Sequence, residues 1–210
     1  LLIDVSGSLD FGTSGQLKRE CATEIAATLA FSAIQNNDKI GVIFFSDYIE
    51  KYIAPKKGRK HILYLIREML TFTPNSKRTD VGVSLEYLNK VMKRRCTAFV
   101  ISDFYTRKDF SQELRIANKK HDVVAIQIYD PRAKEMPDVG LMKVVDAETG
   151  HEMYIDTHDA RLRKVHNKYW EEREIRLHEM LSQSHVDSVA IATDDDYVKM
   201  LMTLFSKRNR

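Results

Sequence analysis

Leu1-Leu2-Ile3-Asp4-Val5-Ser6-Gly7-Ser8 decides how the chain is read. Three apolar residues form the end of a buried strand, and the oxygen-bearing residues that follow form a loop at its carboxyl end. Asp4, Ser6 and Ser8 bring one carboxylate and two hydroxyls within five positions, all hard donors that suit Mg²⁺ or Mn²⁺. Gly7 is expected to let the backbone turn tightly enough for both serines to face one ion. The same residues also fit an Asx-turn followed by a helix cap. Position separates the two readings, because open α/β sheets place their sites at the carboxyl ends of strands.

Working outward, Gln16 to Gln35 has helical spacing, with Leu17, Cys21, Ile25 and Leu29 on one stripe and Ala22, Ala26, Ala30 and Ala33 beside it. Ile40 to Phe45 is a continuous apolar run, the pattern of a strand covered on both faces. Tyr48 to Ala54 alternates and carries charge, as an antiparallel edge strand does. Helices are predicted over His61 to Leu70 and from Thr79-Asp80 through Lys93-Arg94-Arg95. Thr97 to Ile101 and Val123 to Tyr129 are further buried strands. Between them, Ser102-Asp103 repeats the motif of a carboxylate past a strand end, and Thr106-x-x-Asp109 reads as a capping box for a helix through Lys120.

The last third changes character. A hairpin is predicted at about residues 137–156, turning at Ala147-Glu148-Thr149-Gly150. A long helix from Asp159 to Gln183 follows, with Leu162, Val165, Tyr169, Leu177, Met180 and Leu181 inward. A strand over Val186 to Ala192 and a helix after Asp194-Asp195-Asp196, burying Tyr197, Leu201, Leu204 and Phe205, complete the chain. The sum is α/β: a doubly wound, mainly parallel central sheet with one antiparallel edge strand, in a single domain over residues 1–210.

Composition bounds the function. Over 210 residues, 43% hydrophobic and 30% charged content is ordinary for a soluble domain, and a net charge of +3 is too slight by itself to argue for nucleic acid or an anionic membrane as a partner. Lys56-Lys57-Arg59-Lys60 and Lys93-Arg94-Arg95 lack interleaved aromatics and read as solvated faces. Cys21 and Cys96 form no metal or redox pair and read as buried thiols of a reducing compartment. His121, His151, His158, His166, His178 and His185 lack zinc-ligand spacing and are expected at the surface. No stretch is long enough to span a bilayer. The chain starts without Met and inside a strand, and reads as a fragment of a longer protein.

With a distant Thr79 and the post-strand Asp103, the Asp4-x-Ser6-x-Ser8 string resembles the metal-ion-dependent adhesion site of a von Willebrand factor A domain. Asp130-Pro131-Arg132, Pro137-Asp138-Val139-Gly140, Glu148-Thr149-Gly150 and Thr193-Asp194-Asp195 resemble a bacterial subfamily of uncharacterised A-domain proteins often encoded beside MoxR-type AAA+ ATPases. The resemblance implies a divalent-metal-dependent protein-interaction module rather than an enzyme. Ser6, Ser8 and Thr79 would be direct ligands, Asp4 and Asp103 would act directly or through water, and Asp80 would tune the site from behind. The implied cofactor is Mg²⁺ or Mn²⁺. The implied partner presents an Asp or Glu carboxylate, on a MoxR-type ATPase or its client. The implied location is the bacterial cytoplasm, with the parent anchored by upstream helices. The alternative is a Mg²⁺-dependent phosphoester hydrolase, in which Asp4 would be the nucleophile; such enzymes place a second Asp where Ser6 stands.

Overall fold

The computed structural model describes residues 1–13 and 15–208. Six strands form the main sheet: β1 (Leu2–Asp4), β2 (Ile40–Phe45), β3 (Ile49–Lys56), β4 (Thr97–Ser102), β5 (Asp122–Tyr129) and, late in the chain, a strand at Asp187–Ala192. Two short strands precede that last one, β6 (Leu141–Val145) and β7 (Glu152–Asp156), which makes it β8. The sheet order is β3-β2-β1-β4-β5-β8. All pairings are parallel except β2 with β3, as expected for the charged edge strand. β6 and β7 pair separately as the predicted hairpin.

The helices are α1 (Lys18–Gln35), α2 (Arg59–Thr71), α3 (Val81–Val91), α4 (Ser111–Lys120), the single turn α5 (Pro131–Lys134), α6 (Ala160–Gln183) and α7 (Tyr197–Arg208). They cover both faces of the sheet. On one face Ile25, Leu65 and Leu201 pack with Val42, Phe44, Ile101 and Ile126. On the other Leu85, Leu114 and Leu181 pack with Ile43, Phe45, Val100 and Ala125. Alternate residues of one strand therefore enter different cores, which is why these strands read as unbroken apolar runs.

The order of the strands places the site. From β1 the chain moves to β2 on one side; from β4 it moves to β5 and β8 on the other. Helix α1 leaves β1 towards one face and α4 leaves β4 towards the opposite face. The carboxyl ends of adjacent β1 and β4 thus form the switch point, where a crevice opens in folds of this kind.

Several expectations need correction. Helix α1 starts at Lys18, so Leu17 sits outside it, exposed, and Lys18 takes the inward place. Helix α3 stops at Val91, leaving Lys93, Arg94 and Arg95 exposed beyond it. Thr106 and Asp109 do not form a capping box: α4 begins at Ser111, Thr106 Oγ1 bonds the Thr79 carbonyl, and Asp109 accepts from the Ser111 amide. Only Leu177 and Leu181 of the predicted α6 stripe are buried, whereas Val165 and Tyr169 are exposed, because only the C-terminal part of this helix lies against the core. In α7, Leu201 and Leu204 are buried and Tyr197 and Phe205 partly so. His121 is fully buried, its Nδ1 3.5 Å from Cys96 Sγ, with burial holding the imidazole below its usual pKa; Cys96 itself is only partly buried. No helix among the described residues is long and apolar enough to cross a membrane.

Candidate metal centre

Asp4 ends β1, and its carboxylate is tied on both oxygens. Oδ1 accepts the Ser6 amide at 2.8 Å and Oδ2 accepts the Ser102 hydroxyl at 2.5 Å, so the end of β4 locks the rotamer of the Asp4 side chain. Ser6 and Ser8, both buried, bring their hydroxyls within 3.1 Å of each other. Val5 N bonds the Phe45 carbonyl, fixing the loop to β2.

Gly7 plays a different part from the expected one. It opens a 3₁₀ turn over Gly7–Asp10, and its φ is not positive. What it needs is space: its amide bonds the Lys77 carbonyl at 2.9 Å, and a Cβ would lie 2.6 Å from the Ala147 carbonyl oxygen and 3.0 Å from Lys77 Cβ. The glycine thus lets both the loop carrying Thr79 and the tip of the β6–β7 hairpin close on the rim.

Thr79 is held from several directions. Asp80 N bonds the Ser46 carbonyl at 2.9 Å, and Thr106 Oγ1 bonds the Thr79 carbonyl at 3.2 Å. Further back, Glu50 accepts from Ser46 Oγ, Asn75 N, Asn75 Nδ2 and Ser76 N, each at 3.0 Å. Thr79 Oγ1 itself is buried with no hydrogen-bond partner. A buried hydroxyl left unmatched in so ordered a loop is costly, and it is one observation that fits a metal ligand here. Asp80 caps α3 through Val83 N and pairs with Lys108 at 2.6 Å.

Asp103 follows β4. Oδ1 accepts the Tyr105 amide at 2.9 Å, and Oδ2 meets Lys18 Nζ at 2.6 Å, with both side chains buried. Phe104 has φ +53, a left-handed conformation unusual for a bulky residue, stabilised by its amide bond to Ser102 Oγ and its packing on Phe110. Arg173 of α6 donates to the Asp103 carbonyl at 3.4 Å and lies over the rings of Tyr105 and Trp170.

The electrostatics are uneven. Burial, then the charge of Asp103, push the Asp4 carboxyl up to about 7, against the bonds from Ser102 and Ser6. Burial opposes ionisation of Asp103 as well, but the Lys18 ammonium more than offsets it and holds Asp103 below the usual carboxylate range. Lys18 and Arg173 bring positive charge to Asp103, whereas the hydrogen-bond partners of Asp4 are a neutral amide and a neutral hydroxyl. The donor set of two carboxylates and three hydroxyls suits a divalent ion such as Mg²⁺ or Mn²⁺. Among the described residues no group of three or more His, Cys, Asp or Glu is gathered as a metal site, so the histidines do not form a competing one.

The sequence-predicted residues Asp4, Ser6, Ser8, Thr79, Asp80, Ser102 and Asp103 are all buried, while Lys18, Glu50 and Arg173 carried no expectation. Lys18 had a signal: it falls three and seven residues before Cys21 and Ile25, on the buried stripe. Beside the rim a groove of about 650 Å³ runs between the loop after β4 and α6, lined by Phe104, Arg107, Arg115, Tyr169, Arg173 and Arg176 among others.

Known proteins share this framework. The uncharacterized protein Rv1480 of Mycobacterium tuberculosis is 34% identical over 152 residues, which cover 71% of this chain and 48% of that protein. The chain thus spans about half the length of the curated relatives it first matches. The uncharacterized protein MAV169 of Mycobacterium avium is 28% identical over 160 residues, 75% of this chain and 94% of that one. Among solved structures, an aerotolerance-related membrane protein of Bacteroides fragilis superposes with a TM-score of 0.66 at 13% identity, over 98% of this chain and 96% of that one. The conserved hypothetical protein BatB of Bacteroides thetaiotaomicron gives 0.64 at 15% identity, over 98% and 95%. At such identities the likeness is one of fold alone, a mainly parallel sheet covered by helices on both faces. The model of the family described as protein of unknown function DUF58 matches residues 1–175, and the chain belongs to that family.

Proposed function

We propose that this domain is a divalent-metal-dependent protein-binding module. The observation that carries the proposal is the buried, unpartnered Thr79 hydroxyl, on a loop that bonds both the Gly7 turn and the segment after Asp103, beside the buried Asp4, Ser6, Ser8 and Asp103. Ser6, Ser8 and Thr79 would hold the ion directly; Asp4 and Asp103 would hold it directly or through water; Asp80, bound to Lys108 and capping α3, would fix the Thr79 loop. A bound Mg²⁺ or Mn²⁺ would supply an electrophilic position for a carboxylate from a partner. Neutral hydroxyls leave much of the ion's charge unspent, which favours an acidic ligand.

The partner in this reading is a MoxR-type AAA+ ATPase or its client, presenting an Asp or Glu, in the assembly or maturation of a complex. The parent is anchored to a membrane with this domain in the bacterial cytoplasm; the membrane protein of Bacteroides fragilis with the similar fold fits that arrangement. Capture of the purified ATPase by the immobilised domain tests the reading. Binding that needs Mg²⁺, ends with chelator and is lost in Asp4→Ala is expected. Equal capture with and without chelator would refute it.

Hydrolysis of phosphoesters is a second reading with one observation in its favour, the buried Lys18 beside Asp103, which could neutralise a phosphoryl oxygen. Against it, Ser6 stands where a general acid two residues after the nucleophile is needed. Turnover of a generic phosphoester that disappears in Asp4→Asn would establish this activity.

A further inference from the structure

Lys18 is the least expected member of the rim. A lysine this deeply buried is rare unless paired, and its ammonium is spent on Asp103, one of the two carboxylates that the metal reading needs. Its position is set by the fold. The Lys18 amide bonds the Phe11 carbonyl at 3.0 Å, α1 begins there, and the side chain runs inward on the stripe of Cys21, Ala22 and Ile25. The head reaches Asp103 Oδ2, while Ser8 lies against the same carboxylate.

Resting on the metal reading above, we propose that Lys18 is a resident cation of this site, which a divalent ion must displace from Asp103, so that Lys18 sets the metal affinity of the domain. The physical case is competition for one oxygen. With the ammonium 2.6 Å from Oδ2, that oxygen is shielded, and a divalent ion beside an unmoved ammonium would meet strong like-charge repulsion in a poorly solvated place. Lysine can yield: its charge is a point on a flexible stem of four carbons, unlike the planar fork of arginine. A resting place lies close by, because the ring of Phe11, itself partly exposed, has its centroid 6.0 Å from Nζ. Without metal the ammonium keeps Asp103 ionised and the rim folded. With metal it is released towards Phe11 and solvent. The domain then holds a cation in both states, and the exchange lowers its apparent affinity for metal.

Two measurements test this on the intact chain. In the first, Mn²⁺ and Mg²⁺ are titrated by calorimetry into the wild type, Lys18→Met and Lys18→Gln, with circular dichroism as the check on folding. The glutamine keeps a donor for Asp103 without the charge. Removal of the competitor is expected to tighten Mn²⁺ binding at least about tenfold, equivalent to about 1.4 kcal/mol. In the second, which needs no variant, an amine-acylating reagent is applied with chelator and with saturating Mn²⁺, and Lys18 labelling is followed by mass spectrometry. Faster labelling with Mn²⁺ is expected. Unchanged or weaker Mn²⁺ binding in both variants, or unchanged labelling while calorimetry records bound metal, overturns the role of Lys18 and leaves the metal site standing. Failure of the wild type and both variants to bind at millimolar metal overturns the role of Lys18 and the metal site together.

Discussion

Replacing Glu50 should loosen the Thr79 loop without touching any proposed ligand. The Glu50 carboxylate accepts four hydrogen bonds, each 3.0 Å, from Ser46 Oγ, Asn75 N, Asn75 Nδ2 and Ser76 N. In Glu50→Ala the donors fare differently. Asn75 is exposed and turns to water, but Ser46 is fully buried and Ser76 partly so. Two uncompensated donors at roughly 1–1.5 kcal/mol each give a loss of about 2–3 kcal/mol. For a chain of this size that lowers the melting temperature by roughly 5–10 °C. Glu50→Gln keeps one acceptor oxygen and should cost about half as much. The effect has a pH signature. Burial tends to raise the Glu50 pKa, but the bonds from Ser76, Ser46 and Asn75 prevail and hold it below 4.5. A depressed folded pKa contributes stability that is fully present above 4.5 and lost as pH falls through the folded value, so wild type and Glu50→Ala converge in acid. Urea unfolding at pH 7 and at successively lower pH, followed by circular dichroism, measures both. A Glu50→Ala domain within about 0.5 kcal/mol of wild type at pH 7 would show that the clamp contributes nothing.

Other outcomes follow from the same geometry. On the metal reading proposed above, a proton would compete with the ion at Asp4, whose carboxyl is pushed up to about 7; Mn²⁺ affinity should then be level above pH 8 and fall by up to about tenfold per unit below pH 7, and a flat profile from pH 5.5 to 8 would contradict it. Gly7→Ala drives a methyl to 2.6 Å from the Ala147 carbonyl, so the hairpin tip must withdraw; about 1–3 kcal/mol of stability should go and proteolysis at residues 146–150 quicken, whereas an unchanged digest would refute the contact. Asp130 is fully buried and accepts from Thr13 N at 2.6 Å, Thr13 Oγ1 at 2.7 Å and Arg132 N at 2.8 Å; Asp130→Ala should cost about 3 kcal/mol in urea unfolding, and a loss under 1 kcal/mol would mean that these donors find water.

What the sequence disclosed follows from where it is unambiguous. β2, β4 and β5 are buried on both faces, so their apolar runs have no competing interpretation. A carboxylate directly after such a run lies at the carboxyl rim whatever the details of the loops, and Asp4 and Asp103 were legible for that reason. Charges on amphipathic segments were harder. Leu17 and Lys18 compete for one place on the α1 stripe, and hydrophobicity alone chooses Leu17; the structure chooses Lys18 because Asp103, 85 positions away, is there to receive it. Glu50 looked like an ordinary solvent-facing charge of an edge strand, since its partners at Asn75 and Ser76 belong to a loop that no local pattern connects to it.

The hairpin reaches the rim itself. From its sequence it is a polar turn between two short strands, and Leu141, Val145 and Tyr154 are indeed exposed. Yet Asp146 Oδ1 gathers Glu148 N, Thr149 N and Thr149 Oγ1 to shape the tip, and the tip sits where Gly7 has no side chain. Glu148 is half-buried there, beside the Thr79 amide and near Arg107, with burial raising its carboxyl above the ordinary range. An acidic side chain of the protein itself thus borders the place where a partner's carboxylate would arrive. On the function proposed above, a partner's carboxylate would meet that repulsion, and the groove along α6, with Arg107, Arg115 and Arg176, is the neighbouring surface of opposite charge.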